Sequence, residues 1–313
     1  GYFYINYNLV FVRKSYYFTF MDFSKLNNKI YFKDKFIEAK NARIHVLNHS
    51  LHFASSVFEG IRVYNSKPLF LIDHIDRLSL SAKLMGLEYP IIRKKIEKVI
   101  IKLIKINNIK DGYIRPIVFR SSNSMSPETT ECKSLLAIAI WKWGNLFGNE
   151  KGIKLNISKF PKLNDKIYPI QAKSSGSYQT SVISRIDSRK KKYDDCLMLD
   201  LKGNIAESSA CNVFWIKKNI LYTSKKHSIL DGITRKAVIR IAKKSKIKIY
   251  IGDYSLKSLI KADSVFLTGT AAEIQPIKKI LNNTFKVDSK LINFFKNEYE
   301  KLKKDCPNKV NNI

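Results

Sequence analysis

A mixed α/β protein built from two units is what three observations predict. Strand and helix patterns alternate through residues 21–142, strand patterns crowd the first part of residues 153–313, and the stretch between them holds Gly144, Gly148 and Gly152 without periodicity. With 313 residues, 45% of them hydrophobic, the chain exceeds one average domain and carries enough apolar material for two cores. The expected organisation is therefore a small N-terminal α/β domain at 21–142, an interdomain loop at 143–152 and a larger, strand-rich domain at 153–313. Met21 is the expected native start, and residues 1–20 are expected to be a non-native or disordered extension. Arg13 and Lys14 break that stretch before it could cross a bilayer, and it has neither a basic start nor a small-residue cleavage site.

The elements follow in order. Ile30-Tyr-Phe32, Ala42-Arg-Ile-His-Val46 and Gly60-Ile-Arg-Val-Tyr64 read as strands from their branched and aromatic content. A turn at Asn65–Pro68 predicts a hairpin with Leu69-Phe-Leu-Ile72 as the return strand. Asp73 then caps a helix with Ile75, Leu78, Ala82 and Met85 at helical spacing, ended by Gly86 and Pro90. A second helix has Ile92, Ile96, Val99, Ile100 and Leu103 on one face. Tyr113–Phe119 and Leu135–Trp141 are strands separated by the polar loop 121–130. Beyond the loop at 143–152, Cys196–Leu201, Asn212–Ile216 and Ile220–Thr223 are strands joined by short polar turns. A helix from Thr234, a strand at Ser264–Leu267, a short helix from Thr270 and a last helix near Ser289–Lys304 complete the reading.

Composition narrows the partners. Lys+Arg 57 against Asp+Glu 26 leaves a net charge of +31, which ordinarily raises nucleic acid or an anionic membrane as partner. Here the excess is spread as single lysines through every segment, with no tail or stripe, so neither partner is expected, and runs such as Arg189–Lys192 read as solvated helix ends. Cys132, Cys196, Cys211 and Cys306 show no C-x-x-C spacing, which argues against a disulfide framework or zinc knuckle and for a reducing cytoplasm. His45, His49 and His52, followed by Glu59, invite a metal reading, but their strand-then-turn context does not place them on one helix face, and no metal is expected.

Chemistry concentrates at a few positions. Lys173 precedes the small-residue turn Ser174-Ser-Gly-Ser177, and Glu207 lies in a second polar cluster, Ile205-Ala-Glu-Ser-Ser-Ala-Cys-Asn212. A lysine made unusual by its neighbours can form a Schiff base, whereas an ordinary one is a solvated charge. Asp231-Gly-Ile-Thr-Arg235 and Thr268-Gly-Thr-Ala-Ala-Glu273 are glycine-plus-hydroxyl turns placed before predicted helices, where free N–H groups form an anion site. Thr270-x-x-Glu273 also fits a capping box. Two such turns in the half that holds Lys173 favour one phosphate held from both sides. Arg115, between apolar strand residues, needs a partner or a ligand.

His49-Ser-Leu-His-Phe-Ala-Ser-Ser-Val-Phe-Glu-Gly-Ile-Arg62, Ile75-Asp-Arg-Leu78, Tyr113-Ile-Arg-Pro116, Lys173–Tyr178, Asp231–Arg235 and Gly269–Ile274 together resemble the branched-chain amino acid aminotransferases, class IV pyridoxal-phosphate enzymes. The resemblance runs in unbroken order from about Lys29 to about Pro276. It implies the two-domain class IV fold with pyridoxal 5′-phosphate between the domains, and reversible transamination of leucine, isoleucine or valine with 2-oxoglutarate. Lys173 would join the cofactor aldehyde and shuttle the proton between substrate Cα and the cofactor; Glu207 would pair with the pyridine nitrogen; Tyr178 would bond the ring hydroxyl. Arg77, Ile233, Thr234 and Thr270 would hold the phosphate, with Leu230 also against the cofactor. On the substrate side Phe58 would form an apolar wall, Tyr113 with Thr270, Ala271 and Ala272 would take the α-carboxylate, and Arg115 would meet the distal carboxylate of glutamate. Family members that act on D-amino acids or aminodeoxychorismate share the lysine, acid and phosphate turns; Val57–Gly60 and Tyr113–Pro116 favour the branched-chain group. Phe53 and Leu146 stand where tyrosines are frequent, which bears on donor preference, while Cys211 and Asp231 replace a common acid and proline. A homodimer or larger homo-oligomer is implied as well. The rival reading, a basic anion- or nucleic-acid-binding protein, predicts steep salt-dependent association and no chromophore.

Overall fold

The computed structural model describes residues 23, 26–128, 131–144 and 146–313; the expected extension at 1–20 and the expected start at Met21 lie outside them. Two sheets lie on either side of the glycine-bearing stretch 143–152. The first contains β1 (Lys29–Phe32), β2 (Lys35–Glu38), and, after helix α1 (His49–Phe53), β3 (Ser56–Phe58), β4 (Ile61–Tyr64) and β5 (Lys67–Pro68). Helices α2 (Leu71–Leu84) and α3 (Arg93–Ile106) precede β6 (Gly112–Arg120) and β7 (Ser134–Lys142). Strand order is β2-β1-β7-β6-β4-β5, with β3 also on β6, and every pairing is antiparallel. The apolar stripe of α3 (Ile96, Val99, Ile100, Leu103, Ile104) and that of α2 (Ile75, Leu78, Ala82) close on one sheet face with Val57, Ile61, Val63, Ile114 and Ile138.

The second sheet contains β8 (Ile153–Ile157), and, after α4 (Gln179–Lys190), β9 (Asp195–Leu199), β10 (Ile205–Ser208), β11 (Asn212–Lys217) and β12 (Ile220–Ser224). Then come α5 (Ile233–Lys244), β13 (Ile249–Gly252), α6 (Leu256–Leu259), β14 (Ser264–Gly269), β15 (Glu273–Ile280), β16 (Asn283–Thr284) and α7 (Lys290–Asp305). The order is β10-β9-β8-β15-β14-β11-β12-β13, and β10 also pairs β11 through Glu207 and Asn212, which closes six strands into a ring. Alternation along β11 feeds two cores. Val213 and Trp215 point into a cluster with Leu155, Leu197, Val265 and Leu267, while Phe214 and Ile216 meet α5 and α7 through Ala237, Val238, Ile292 and Phe295. Both faces are covered, so these strands read as continuous apolar runs rather than as alternation.

Four sequence expectations change. Residues 42–46 form no strand: Ile44 and Val46 remain 50% and 67% exposed, and branched residues without a surface to pack on do not hold a strand. The return strand after the hairpin ends at Pro68, which has no N–H to continue the ladder, and the chain turns at Phe70 (φ 54°) directly into α2. Asp73 is therefore inside α2, where its carboxylate accepts from the Val310 N–H (2.6 Å) instead of capping the helix. Thr270 starts no helix. Thr268 and Gly269 pair with Ile274 and Glu273, so Thr270-Ala-Ala272 is a three-residue hairpin loop closed by Glu273 at φ 55°. Tyr64 Oη donates to Glu273 (2.7 Å) and Lys303 Nζ lies 3.1 Å from its other oxygen, tertiary anchors that outweigh the local helical signal. Among the described residues no helix is long and apolar enough to cross a membrane.

Candidate active site

Lys173 lies between β8 and α4, pinned by the first sheet. Its N–H donates to Ser81 Oγ on α2 (3.0 Å), its carbonyl accepts from the Phe58 N–H (2.9 Å), and Ser174 bridges Val57. These contacts fix where the amine emerges, and Nζ meets Tyr178 Oη at 2.5 Å and lies 4.9 Å from the Phe58 ring centre. Burial, then the nearby Arg77 guanidinium, pull the Lys173 amine down to about 8, against the opposing pull of Glu59. Burial pushes the Tyr178 phenol up to about 12, although Lys162 acts against it.

Glu207 faces the same cleft from β10. The β10–β11 register sets Asn212 opposite it, and the Asn212 amide donates to Glu207 Oε2 and to the Leu230 carbonyl, both at 2.9 Å. Lys162 Nζ reaches the other oxygen at 2.9 Å. Arg77, Leu230, Ile233, Thr234 and Thr270 share the lining, so every residue read as a cofactor ligand, Lys173, Tyr178 and Glu207 included, borders one cleft. α5 begins at Ile233 with Gly232 as N-cap and no side-chain cap, so its first N–H groups are available where Ile233 and Thr234 meet the cleft. Thr268 Oγ1, on the opposing hairpin, is buried and finds no partner among the described residues. Gly232 leaves room for the Asn212 amide: a Cβ there would lie 2.1 Å from Asn212 Oδ1 and force it to shift.

Arg77 is held from behind. Its Nε and Nη2 reach the two oxygens of Glu59 at 2.5 and 2.9 Å, His74 Nδ1 adds a 2.7 Å contact, and Gly60 N–H donates as well. Burial alone would raise the Glu59 carboxyl, but Arg77 and His74 hold it far below the usual range. His74 is pulled down by burial and stays a neutral donor. Arg115 stacks its guanidinium 4.7 Å from the Phe58 ring centre and 5.5 Å from that of Tyr113, and its buried Nε has no partner among the described residues. Tyr113 is itself flanked by Trp143 and Trp141, ring centres 4.7 and 5.3 Å away, and Gly60 leaves room for its hydroxyl. Ala271 accepts from the Leu146 N–H (2.8 Å), tying the stretch 143–152 to the hairpin loop beside buried Ala272.

The histidines each bind the chain. His49 bridges Ser55 Oγ and the Ser126 carbonyl, His45 Nδ1 accepts from the Leu47 N–H, and His52 Nε2 meets the Val46 carbonyl. Phe53 packs on His49, ring centres 4.6 Å apart. Sequence reasoning missed Lys162, Asn212, His74 and Trp143, and took Glu59 merely as the acid nearest the histidines. A polar Asn opening the apolar run of β11 and an acid inside Val57-Phe-Glu-Gly60 were the usable signals for two of them; nothing in its surroundings marked Lys162.

A family model, amino-transferase class IV, matches residues 56–280. A probable branched-chain-amino-acid aminotransferase of Rickettsia conorii is 38% identical over 265 residues, covering 83% of this chain and 91% of the relative. The branched-chain-amino-acid aminotransferase of Pseudomonas aeruginosa is 33% identical over 267 residues, with 83% and 87% covered. The solved Escherichia coli branched-chain amino acid aminotransferase superposes with a TM-score of 0.85 at 29% identity, over 88% of this chain and 94% of that one. The T.th. branched-chain amino acid aminotransferase with pyridoxamine 5′-phosphate gives a TM-score of 0.85 at 29% identity, over 90% of this chain and 95% of that one. With its lysine, acid and two glycine turns gathered on one cleft, the chain belongs to the branched-chain amino acid aminotransferases of the class IV aminotransferase family.

Proposed function

We propose that the cleft holds pyridoxal 5′-phosphate and that the protein moves amino groups between branched-chain L-amino acids and 2-oxoglutarate, alternating between aldehyde and amine forms of the cofactor. The residues fit the group. A phosphate suits the uncapped start of α5 and the Thr268 hydroxyl, which has no partner among the described residues, Arg77 adds a fixed cation, and Glu207 offers a carboxylate to a protonated ring nitrogen. When bound, the cofactor supplies an aldehyde carbon for the amino group and a ring that draws electrons from the substrate Cα.

The rest is the chain's own chemistry. Lys173 Nζ, with its affinity for protons lowered, is partly neutral near physiological pH and is suited to take a proton from Cα and return it. Tyr178 Oη holds that amine in place, and the Phe58 and Tyr178 rings, centres 5.1 Å apart, keep water from one side of it. Arg77 stays put because Glu59 grips it from behind. Tyr113 and the Thr270–Ala272 backbone are proposed to take the α-carboxylate. Arg115, masked by aromatic faces, is proposed to pair with the distal carboxylate of glutamate and to remain stacked when the side chain is aliphatic. A cytoplasmic homo-oligomer belongs to the same reading: all four cysteines are free, and Val182, Ile183 and Ile186 of α4 and Leu51 of α1 expose apolar surface.

The observation that carries this reading is a buried amine of lowered proton affinity sharing one cleft with a buried carboxylate and an uncapped helix start. The protein loaded with pyridoxal phosphate is expected to absorb in the visible and to bleach with leucine but not with D-alanine. Lys173→Ala should abolish both the colour and turnover, a loss of at least about 10⁴-fold. Bleaching by D-alanine alone would assign a different member of the family, and a Lys173→Ala variant that kept colour and turnover would remove the lysine from the mechanism.

A further inference from the structure

Lys162 is assigned no role in the proposed function, yet it is a buried cation in contact with the Glu207 carboxylate at the edge of the cleft. Its side chain is 10% exposed, and Nζ lies 2.9 Å from Glu207 Oε1 and 3.1 Å from Ser181 Oγ on α4. Its N–H is fixed to the Leu199 carbonyl on β9 (2.7 Å). It borders a smaller chamber that adjoins the main cleft through Lys173, Tyr178, Glu207 and Leu230. The Glu207 carboxylate therefore has a resident cation on one oxygen and a neutral amide on the other. A carboxylate buried beside Asn212 alone would take up a proton and become a donor, of no use to a protonated ring nitrogen.

We propose that Lys162 is a positioning residue that keeps Glu207 ionised and aimed into the cleft, so that the carboxylate is ready to accept from a cationic N–H on its ligand. This rests on Glu207 being the acid that faces the cofactor ring. Burial works against the charge on Lys162, but Glu207 and then Tyr178 outweigh it and raise its proton affinity, so the lysine keeps its charge beside the carboxylate. The other titratable groups facing the pair are Tyr178, Cys196 on β9, Cys211 before β11, Arg235 on α5 and Lys173 across the cleft. Burial pushes Tyr178, Cys196 and Cys211 up to about 12, and Arg235 remains charged, so Lys173 alone among these titrates near neutrality, at about 8.

The test is thermal unfolding of the cofactor-free protein between about pH 5 and about pH 7, below the range in which Lys173 titrates. Without Lys162, the folded-state proton affinity of Glu207 rises above its unfolded value, so stability must fall as pH rises across that window. Lys162→Met is expected to lower Tm by on the order of 10 °C at the upper end and by clearly less at the lower end. Lys162→Arg should keep the wild-type profile, and Lys162→Met/Glu207→Gln should lose the extra pH dependence. Adding pyridoxal phosphate should raise Tm more in Lys162→Met than in wild type, because a cationic ring would replace the missing charge. A Lys162→Met loss that is the same at every pH, or a double variant no flatter in pH than Lys162→Met, would overturn the proposal and leave Lys162 a packing residue. Should Lys162→Met fail to fold, folding of the double variant supports the proposal and its failure overturns it. If pyridoxal phosphate shifted no variant, wild type included, the cofactor reading would fail, while the cofactor-free arm would still decide the role of Lys162.

Discussion

Two buried carboxylates, Glu59 from the first sheet and Glu207 from the second, meet their cations on different terms. Glu59 is gripped by both arms of Arg77, by His74 and by the Gly60 N–H, so its acceptor capacity is spent on holding a guanidinium at the cleft. Glu207 meets a lysine through one oxygen and an amide through the other and retains capacity toward the cleft. Arg77 cannot shed its proton when its partner is lost, whereas Lys162 can. The first pair is a fixed support; the second can adjust its charge.

Glu59→Gln is the most severe way to probe that difference. It leaves a buried guanidinium uncompensated and should cost about 3–5 kcal/mol of stability, with little dependence on pH near neutrality because arginine does not titrate there. Glu207→Gln should cost less, about 1–2 kcal/mol, because Lys162 can become neutral. Its proton affinity in that variant falls below the unfolded value, so the loss is fully present at low pH and fades as pH rises toward the ordinary lysine range. The two variants should separate in the opposite sense in turnover, where Glu207→Gln is expected to lose roughly 10²–10³-fold in kcat with cofactor bound. Urea unfolding at two pH values, together with kcat, checks both. Equal stability losses with equal pH profiles would show that the two supports do not differ as the partner chemistry requires.

The two buried lysines sharpen the contrast further. Lys162 has an anion and keeps its proton; Lys173 has Arg77 nearby and gives its proton up at about 8. A folded-state value below the unfolded one means that at neutral pH the fold carries a cost, removed as pH rises from about 8 toward about 10.4. Lys173→Met should therefore stabilise the cofactor-free protein by about 2–3 kcal/mol at pH near 7, with the gain shrinking above about pH 8. A variant that lost stability instead would mean that the Tyr178 contact outweighs burial and the Arg77 field.

How much of this was legible in the chain depends on whether a signal was local. The helical stripes of α2 and α3 and the turn before α5 were, because their cues lie within one or two turns of helix. The Thr270 turn was misread as a helix start: Thr-Ala-Ala-Glu satisfies a capping pattern, and the pairing of Gly269 with Glu273 and the anchoring of Glu273 by Tyr64 and Lys303 come from distant segments. The site showed the same divide. Lys173, Glu207 and the two glycine turns were singled out because they form a recognisable set in sequence order, and the fold brings them to one cleft. Lys162 was not, because it lies after β8 and finds Glu207 on β10 past the intervening β9, a relation no spacing encodes. Asn212 and Glu59 lay between these cases, polar residues inside apolar runs whose partners could be sensed as necessary but not named.

The mildest expected change joins the start of α5 to the Glu207 side of the cleft. Gly232 has φ −62° and ψ 138°, a conformation open to any residue, so Gly232→Ala should gain roughly 0.4–1 kcal/mol from the unfolded chain if nothing else intervened. Its Cβ would, however, stand 2.1 Å from Asn212 Oδ1, and crowding of that kind costs about 1–3 kcal/mol. The net loss should be near 1 kcal/mol, and it should arise by pushing the Asn212 amide away from Glu207 and from the Leu230 carbonyl, both of which accept from it. In an Asn212→Ala background the obstruction is gone, so the same substitution should become neutral or stabilising by about 0.5 kcal/mol. A double-mutant cycle by urea unfolding reads the difference directly. Additive losses would mean that the glycine serves the backbone approach at the start of α5 alone, and that the helix start and the Glu207 carboxylate are held independently.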